Sequence, residues 1–165
     1  MGVKSTAELV DSCWPEAYRI AFSILRNHAD AEDAAQEACA QLHFTLPTLR
    51  DERAFKCWFY RVVVRKAYDI SRRARRRADS EPNENTQAED HVDESLDLAR
   101  ALNRLGPNQR ITIILKYYYG FSDAETARIL GTTHAAIRVR LFAARKSLRR
   151  LLEPEAPAEG SVCHE

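Results

Sequence analysis

The sequence predicts an all-α protein made of two small helical domains joined by a flexible acidic linker, the second domain carrying a helix-turn-helix. Only five glycines occur in 165 residues, and stretches of alternating apolar and polar side chains are few, which argues against a sheet of any size. Apolar residues recur instead at the spacing of a buried helix face. That pattern lapses over residues 78–95, ADSEPNENTQAEDHVDES, which are polar, acidic and too poor in large apolar groups to fold alone. With 45% apolar and 30% charged residues, the remainder has the composition of a folded chain with a core. The expected limits are therefore a first domain at 1–77, a linker at 78–95, a second domain at 96–152 and a disordered acidic tail at 153–165.

A first helix is expected over Thr6 to Leu25, with Leu9, Cys13, Tyr18, Phe22 and Leu25 inward and Pro15 marking an early break or bend. Arg26-Asn27-His28 reads as a turn. Asp30 suits the N-cap of a second helix, and acidic Glu32 and Asp33 favour the positive end of its dipole. That helix runs to about Phe44. Ala31, Ala34, Ala35, Ala38 and Leu42 form a stripe of mostly small residues that permits close packing, while Asp33, Gln36, Glu37 and Gln41 lie on another face. Pro47 ends the segment, leaving Leu46 to Arg53 as a loop.

A long helix follows from Ala54 to about Arg76, with Phe55, Phe59, Val62 and Val63 facing the core. Trp58, Arg61, Arg65, Tyr68 and Arg72 make a second continuous stripe in which rings and cations alternate. Such alternation suits single-stranded nucleic acid, whose phosphates meet cations and whose unstacked bases lie on rings. It equally fits Trp58 and Tyr68 as core residues beside solvated arginines. Arg72, Arg73, Arg75, Arg76 and Arg77 then form a basic cluster typical of phosphate contact.

Beyond the linker, Leu96 to Leu105 reads as a short helix stopped by Gly106-Pro107, and Asn108 to Tyr119 as another that ends at Gly120. Ser122-Asp123-Ala124-Glu125 is a capping box. The helix it opens places Ala127 and Leu130 inward and ends at Gly131, which suits a tight turn. Thr133 can cap the next helix, with Ile137 and Leu141 inward and Arg138, Arg140, Arg145, Lys146, Arg149 and Arg150 outside. A small residue at the crossing, a glycine turn and an apolar lock on the second helix make a helix-turn-helix whose N-terminal face is free for a major groove.

The net charge of +1 conceals a segregation. Residues 1–78 hold 14 basic and 10 acidic side chains, 79–97 hold 0 and 8, 98–152 hold 11 and 2, and 153–165 hold 0 and 4. Both folded blocks can therefore attract a polyanion, the second strongly. Cys13, Cys39, Cys57 and Cys163 form no CxxC pair and the histidines no HxxxH spacing, so neither a metal nor any other cofactor is expected; Cys163 and His164 in the tail have no supporting context. No apolar run approaches the roughly 20 residues of a membrane helix, and the charged first thirty residues differ from a signal peptide, so the expected place is the cytoplasm.

Together the two blocks resemble the extracytoplasmic-function group of bacterial sigma factors, initiation subunits of RNA polymerase. DAEDAAQEA, Asp30 to Ala38, resembles the family helix that docks on the polymerase clamp. RAFKCWFYRVVVRKAYDISRR, Arg53 to Arg73, resembles the promoter-melting helix, and Leu105 to Leu152 resembles the region that reads the −35 element. The resemblance implies core RNA polymerase binding by Asp33, Gln36, Glu37 and Gln41. It implies that Leu49, Arg50, Asp51 and Glu52 hold a flipped base of the −10 element, with Arg61, Arg65, Arg72 and Arg73 on the adjacent strands. It places Thr133, His134, Arg138, Val139, Arg140, Phe142 and Arg145 at −35 DNA, where arginines can fork to guanine edges or phosphates and Phe142 can add apolar contact. It also makes Trp58 a largely structural tryptophan and an anti-sigma factor an expected partner.

The chain departs from the family pattern at several positions. Arg65 stands where many members have asparagine, which favours phosphate contact there; Val64 replaces a common basic residue, His43 a usual aromatic one and Ala136 a threonine. The expectation is thus a sigma factor that recruits polymerase to promoters and opens the −10 duplex, with no catalysis of its own. The alternative is a free-standing helix-turn-helix repressor or activator, whose first block would sense a signal or dimerise. An enzyme is disfavoured, since paired carboxylates, a nucleophile constellation and a glycine-rich loop are all lacking.

Overall fold

The computed structural model describes residues 6–45, 51–80 and 96–152, and among these there is no strand. The first unit comprises α1 (Thr6–Leu25), α2 (His28–Thr45) and α3 (Glu52–Ser80). The second comprises α4 (Leu96–Arg104), α5 (Pro107–Ile113) running into a π-helical segment at Ile114–Tyr118, α6 (Asp123–Leu130) and α7 (His134–Leu152). The all-helical class and the helix-turn-helix of the second unit are as expected.

Several local expectations need correcting. α1 continues through Pro15 without a break. Its buried face is Cys13, Ala17, Ile20, Ala21 and Ile24, with Tyr18, Phe22 and Leu25 only half-buried, so the inward face is rotated from the expected one. α1 ends at Arg26, whose φ of +56° closes the helix in the left-handed region. α2 starts at His28 rather than after Asp30: the Asn27 side chain accepts a hydrogen bond from the Asp30 amide at 3.0 Å, so Asn27 is the cap. α3 starts two residues earlier than expected and runs on to Ser80, so the helix takes in the first three residues assigned to the linker. Residues 81–95 and 153–165, the remainder of the expected linker and the expected tail, lie outside the described residues.

The alanine stripe of α2 packs as the spacing requires. Ala31, Ala34, Ala35, Ala38 and Leu42 are all fully buried, letting α1 and α2 approach closely while α3 supplies Phe59 and Val63 from the third side. The second unit has its own smaller core of Leu105, Ile113, Ala127, Ile137, Leu141 and Ala144. In the π-helical segment the Tyr119 amide bonds back to the Ile114 carbonyl at 3.1 Å, five residues away. The widened turn buries Leu115 and leaves Tyr117 and Tyr118 exposed.

The two units are packed on one another. Ile111, Leu115, Phe121 and Ile129 of the second belong to the same continuous core as Ile20, Phe59, Tyr60 and Val64 of the first. Tyr60 lies edge-on to Tyr119 and Phe121, with ring centroids 4.9 and 5.5 Å apart. Arg53 pairs with Glu125 through both guanidinium and carboxylate edges, and the Tyr68 hydroxyl donates to the Asn108 side chain. Arg110 crosses the same boundary by donating to the Ser23 carbonyl at 2.7 Å.

Candidate functional site

The helix-turn-helix is built by its caps. The Ser122 hydroxyl accepts from the Glu125 amide at 3.2 Å, and a Glu125 carboxylate oxygen accepts from the Ser122 amide at 2.8 Å, completing the capping box. α6 ends in a Schellman arrangement, with the Thr132 amide bonded to the Ala127 carbonyl at 2.9 Å and Gly131 at φ +61°. Thr133 then caps α7, its hydroxyl accepting from the Ala136 amide at 3.2 Å. Ile137 and Leu141 lock α7 onto α6, which fixes the direction in which the remaining side chains of α7 project.

Along that outward direction lie His134, Arg138, Phe142 and Arg145, with Val139 beside them. Val139 and Phe142 are 68% and 66% exposed, which no packing requirement of a lone domain accounts for. A groove of about 590 Å³ runs beside Arg138, Val139, Phe142 and Arg145, and its far wall is Lys116, Tyr117 and Asp123. Lys116 pairs with Asp123 at 2.7 Å and holds its carboxyl below the usual range, so a fixed ion pair borders the reading face. Lys116 and Tyr117 escape sequence reasoning, because the π-helical turn that brings them here leaves no mark in the apolar spacing. Arg140 departs from the expected group: it is half-buried on the opposite side of α7, close enough to the Tyr68 phenol of α3 to act on it electrostatically.

On the first unit, Asp33, Gln36 and Glu37 are exposed on α2 and Gln41 is half-buried one turn on, giving a hydrophilic face with two carboxylates opposite the alanine stripe. Glu37 also pairs with Lys66 of α3 at 2.8 Å. Among the loop residues, Leu49 and Arg50 lie outside the described residues. Asp51 and Glu52 are exposed, and the Asp51 side chain caps α3 by accepting from the Arg53 amide at 3.1 Å. Arg61, Arg65, Arg72 and Arg73 all reach solvent, Arg72 with Asp69 as an ion-pair partner.

Trp58 is half-buried and packs against the core beside Phe55, which favours its structural reading. Tyr68 is also half-buried, and burial pushes its phenol up. Arg61, Arg65 and Tyr68 nevertheless form one wall of a cleft of about 590 Å³ whose other wall is Ile129, Leu130 and Gly131 of the helix-turn-helix. Cys13 and Cys39 are buried, and burial pushes the Cys39 thiol up to about 11. Among the described residues no group of His, Cys, Asp and Glu is arranged to hold a metal ion, and no helix is long and apolar enough to cross a membrane.

Comparison with known proteins agrees with both halves of the architecture. Residues 9–77 match the Sigma-70 region 2 family, and residues 95–148 match the Sigma-70 region 4 family. The chain is 34% identical over 142 residues to the RNA polymerase sigma factor SigV of Bacillus subtilis, covering 84% of this chain and 85% of that protein. It is 31% identical over 140 residues to the ECF RNA polymerase sigma factor SigM of Mycobacterium tuberculosis, covering 83% and 71% respectively. Its fold is similar to that of the sigma factor RpoE in its complex with the anti-sigma factor NepR from Bartonella quintana, with a TM-score of 0.73 at 24% identity over 93% of this chain and 100% of that one. With a region 2 unit and a region 4 helix-turn-helix in the expected order, the chain belongs to the sigma-70 family as a sigma factor of the extracytoplasmic-function group.

Proposed function

We propose that the chain binds core RNA polymerase through the exposed face of α2, with Asp33, Gln36, Glu37 and Gln41 as the contact, and aims the polymerase at promoters by reading two DNA elements. The observation that carries this reading is the pairing in one chain of an exposed recognition face on α7 with a separate hydrophilic face on α2 that the fold leaves uncovered. At the −35 element, α7 enters the major groove. Arg138 and Arg145 supply donors for guanine edges or phosphates, Val139 and Phe142 supply apolar contact, and Thr133 and His134 stand at the helix start. Arg140, on the far side of α7, is left for phosphate contact.

At the −10 element, the loop of Leu49, Arg50, Asp51 and Glu52 holds a flipped base. Arg61, Arg65, Arg72 and Arg73 follow the separated strand along α3. Capturing an unstacked base offsets the few kcal/mol needed to take it from the duplex, so binding favours the open state and no substrate is turned over. Residues 78–95 carry seven acidic and no basic side chains and are suited to lie along a path built for nucleic acid. The seat of this activity is the cytoplasm, and the regulatory partner is an anti-sigma factor.

The test is transcription in a reconstituted system of purified chain, core polymerase and a promoter library. Transcript starts that need both proteins and share two upstream elements support the proposal. Tight binding of a duplex operator by the chain alone, without polymerase association, would support a free-standing repressor or activator instead.

A further inference from the structure

The second unit does not spend all its apolar surface on its own core. Leu98 is 52% exposed, Tyr117 58% and Tyr118 69%, and all three border one groove of about 560 Å³. Leu102, Ile113 and Leu148 extend the apolar lining, which is drawn from α4, α5, the π-helical segment and α7. Apolar surface gathered in one place and left open to water marks a binding site. The volume falls within the roughly 300–1,000 Å³ typical of small-molecule sites.

The charges that line this groove have one sign. Arg19 of α1 and Arg145 of α7 are both exposed at it, and among the described residues no carboxylate lines it. Arg19 stands near enough to Tyr119, a further lining residue, to act electrostatically on its phenol, and the Tyr119 hydroxyl is buried without a hydrogen-bond partner. An acceptor drawn to Arg19 would meet a second donor there. A guanidinium offers a planar fork that matches a carboxylate, so a hydrocarbon groove with such a seat fits an amphipathic anion.

Two of the lining residues also belong to the −35 groove, since Tyr117 and Arg145 line both. Whatever occupies the apolar groove therefore touches the wall of the reading groove. A carboxylate held there adds negative charge near Arg145, which opposes the approach of a polyanion.

We propose that the groove between α4 and α7 binds a free medium-chain carboxylate, its chain along Leu98, Leu102 and Leu148 and its head on Arg19, and that the occupied groove weakens DNA binding by α7 through Arg145 and Tyr117. The ligand site stands on the groove alone, while its effect on promoter reading rests on the proposed function.

The test uses the full chain, titrated by calorimetry with octanoate, decanoate and dodecanoate below their micelle concentrations. The proposal expects one site per chain and affinity that rises by up to roughly fourfold per added methylene until the groove is filled. Octanol, which lacks the charged head, should bind roughly tenfold more weakly than octanoate. Arg19→Gln should abolish that preference and keep the rise with chain length. Leu98→Glu, at an exposed position, should abolish binding while the far-UV circular dichroism stays that of wild type. Saturating decanoate should weaken binding of a short mixed-sequence duplex at low salt, and the duplex should weaken decanoate binding by the same factor, as linkage requires.

Affinity indifferent to chain length, a preference for octanoate that survives Arg19→Gln, wild-type binding by Leu98→Glu, or duplex affinity indifferent to decanoate would overturn the proposal. So would absence of decanoate binding together with loss of core polymerase association in Leu98→Glu, which would give the groove to a protein partner. Promoter-dependent transcription by the wild-type chain with core polymerase, measured in parallel, separates the two ideas. Transcription without decanoate binding defeats the ligand site alone, whereas saturable decanoate binding without transcription defeats the sigma-factor mechanism and leaves the site standing.

Discussion

Replacing Arg110 by methionine removes a buried guanidinium that caps a helix and also reaches across the boundary between the units. Arg110 is 6% exposed, and its guanidinium donates to four carbonyl oxygens: Leu102 at 2.9 Å, Ser23 at 2.7 Å, Asn103 at 2.9 Å and Leu105 at 2.7 Å. Three of these oxygens belong to the C-terminal end of α4 and the residue after it, where helix carbonyls lack intrahelical partners. The fourth lies in α1, so one side chain both caps a helix and ties the units together. Methionine keeps most of the volume and none of the donors.

Hydrogen bonds to a charged donor contribute about 1.5–3 kcal/mol each, so simple addition gives roughly 6–12 kcal/mol. Burying a guanidinium among neutral carbonyls opposes this: burial lowers the Arg110 pKa, with Arg26 nearby adding repulsion. The net loss expected on removal is therefore about 3–5 kcal/mol. For a chain of this size each kcal/mol lowers Tm by roughly 2–4 °C, so Arg110→Met should melt about 6–20 °C below wild type in thermal unfolding followed by far-UV circular dichroism. Arg110→Lys, with one compact donor group in place of the fork, should fall between the two. A Tm within 2 °C of wild type for Arg110→Met would refute the reasoning.

Further expectations concern separate parts of the molecule. Ser122→Ala removes the hydroxyl that caps α6 and should cost about 1 kcal/mol in urea denaturation, while Gly131→Ala, which meets open space but must hold φ at +61°, should cost about 1–2 kcal/mol by backbone strain alone. Arg138→Ala and Phe142→Ala, at exposed positions, should leave Tm unchanged and weaken −35 duplex binding, each by about 1–3 kcal/mol where the side chain meets a base edge. Stability should fall as pH rises from about 9 to about 11: burial raises the Cys39 thiol to about 11, so the unfolded chain ionises first, and Cys39→Ala should flatten that part of a stability-against-pH curve. At the acid end, the Arg53 and Ser122 hydrogen bonds hold Glu125 well below the usual carboxylate range. Its contribution is present above about pH 4.3 and lost as pH falls toward that lowered value, and Arg53→Ala should shrink this acid sensitivity in urea titrations.

Much of the architecture was legible because it is local. The alanine stripe of α2, the Ser122–Glu125 box, the Gly131 turn and the Ile137 and Leu141 lock are set by spacings within a single helix or turn, and each formed as the sequence implied. The inner face of α1 differs from the expected one because it is made of Cys13 with alanines and isoleucines, while the larger Tyr18 and Phe22 stack with Trp14 and His28 along its flank. Chain length and aromatic size pointed to the wrong stripe.

What is absent from the sequence is long-range. No spacing within either unit connects Tyr60 to Phe121 and Ile129, and only the folded chain reveals that they share one core. Arg110 is an isolated cation in an isoleucine-rich helix, with no spacing to connect it to α4 or to Ser23. The placing of Arg140 is a different case, readable from helical phase alone, since Arg138 and Arg140 are two positions apart and cannot share a face.

The most direct test of the central claim is permanganate mapping of unpaired thymines on a promoter fragment, with the chain alone, core polymerase alone and both together. The sigma-factor account predicts reactive thymines in the −10 element only when both are present, and their loss when Asp33 and Glu37 on the open face of α2 are together changed to lysine in a chain that still folds. Opening by either component alone, or undiminished opening with the double lysine variant, would contradict it.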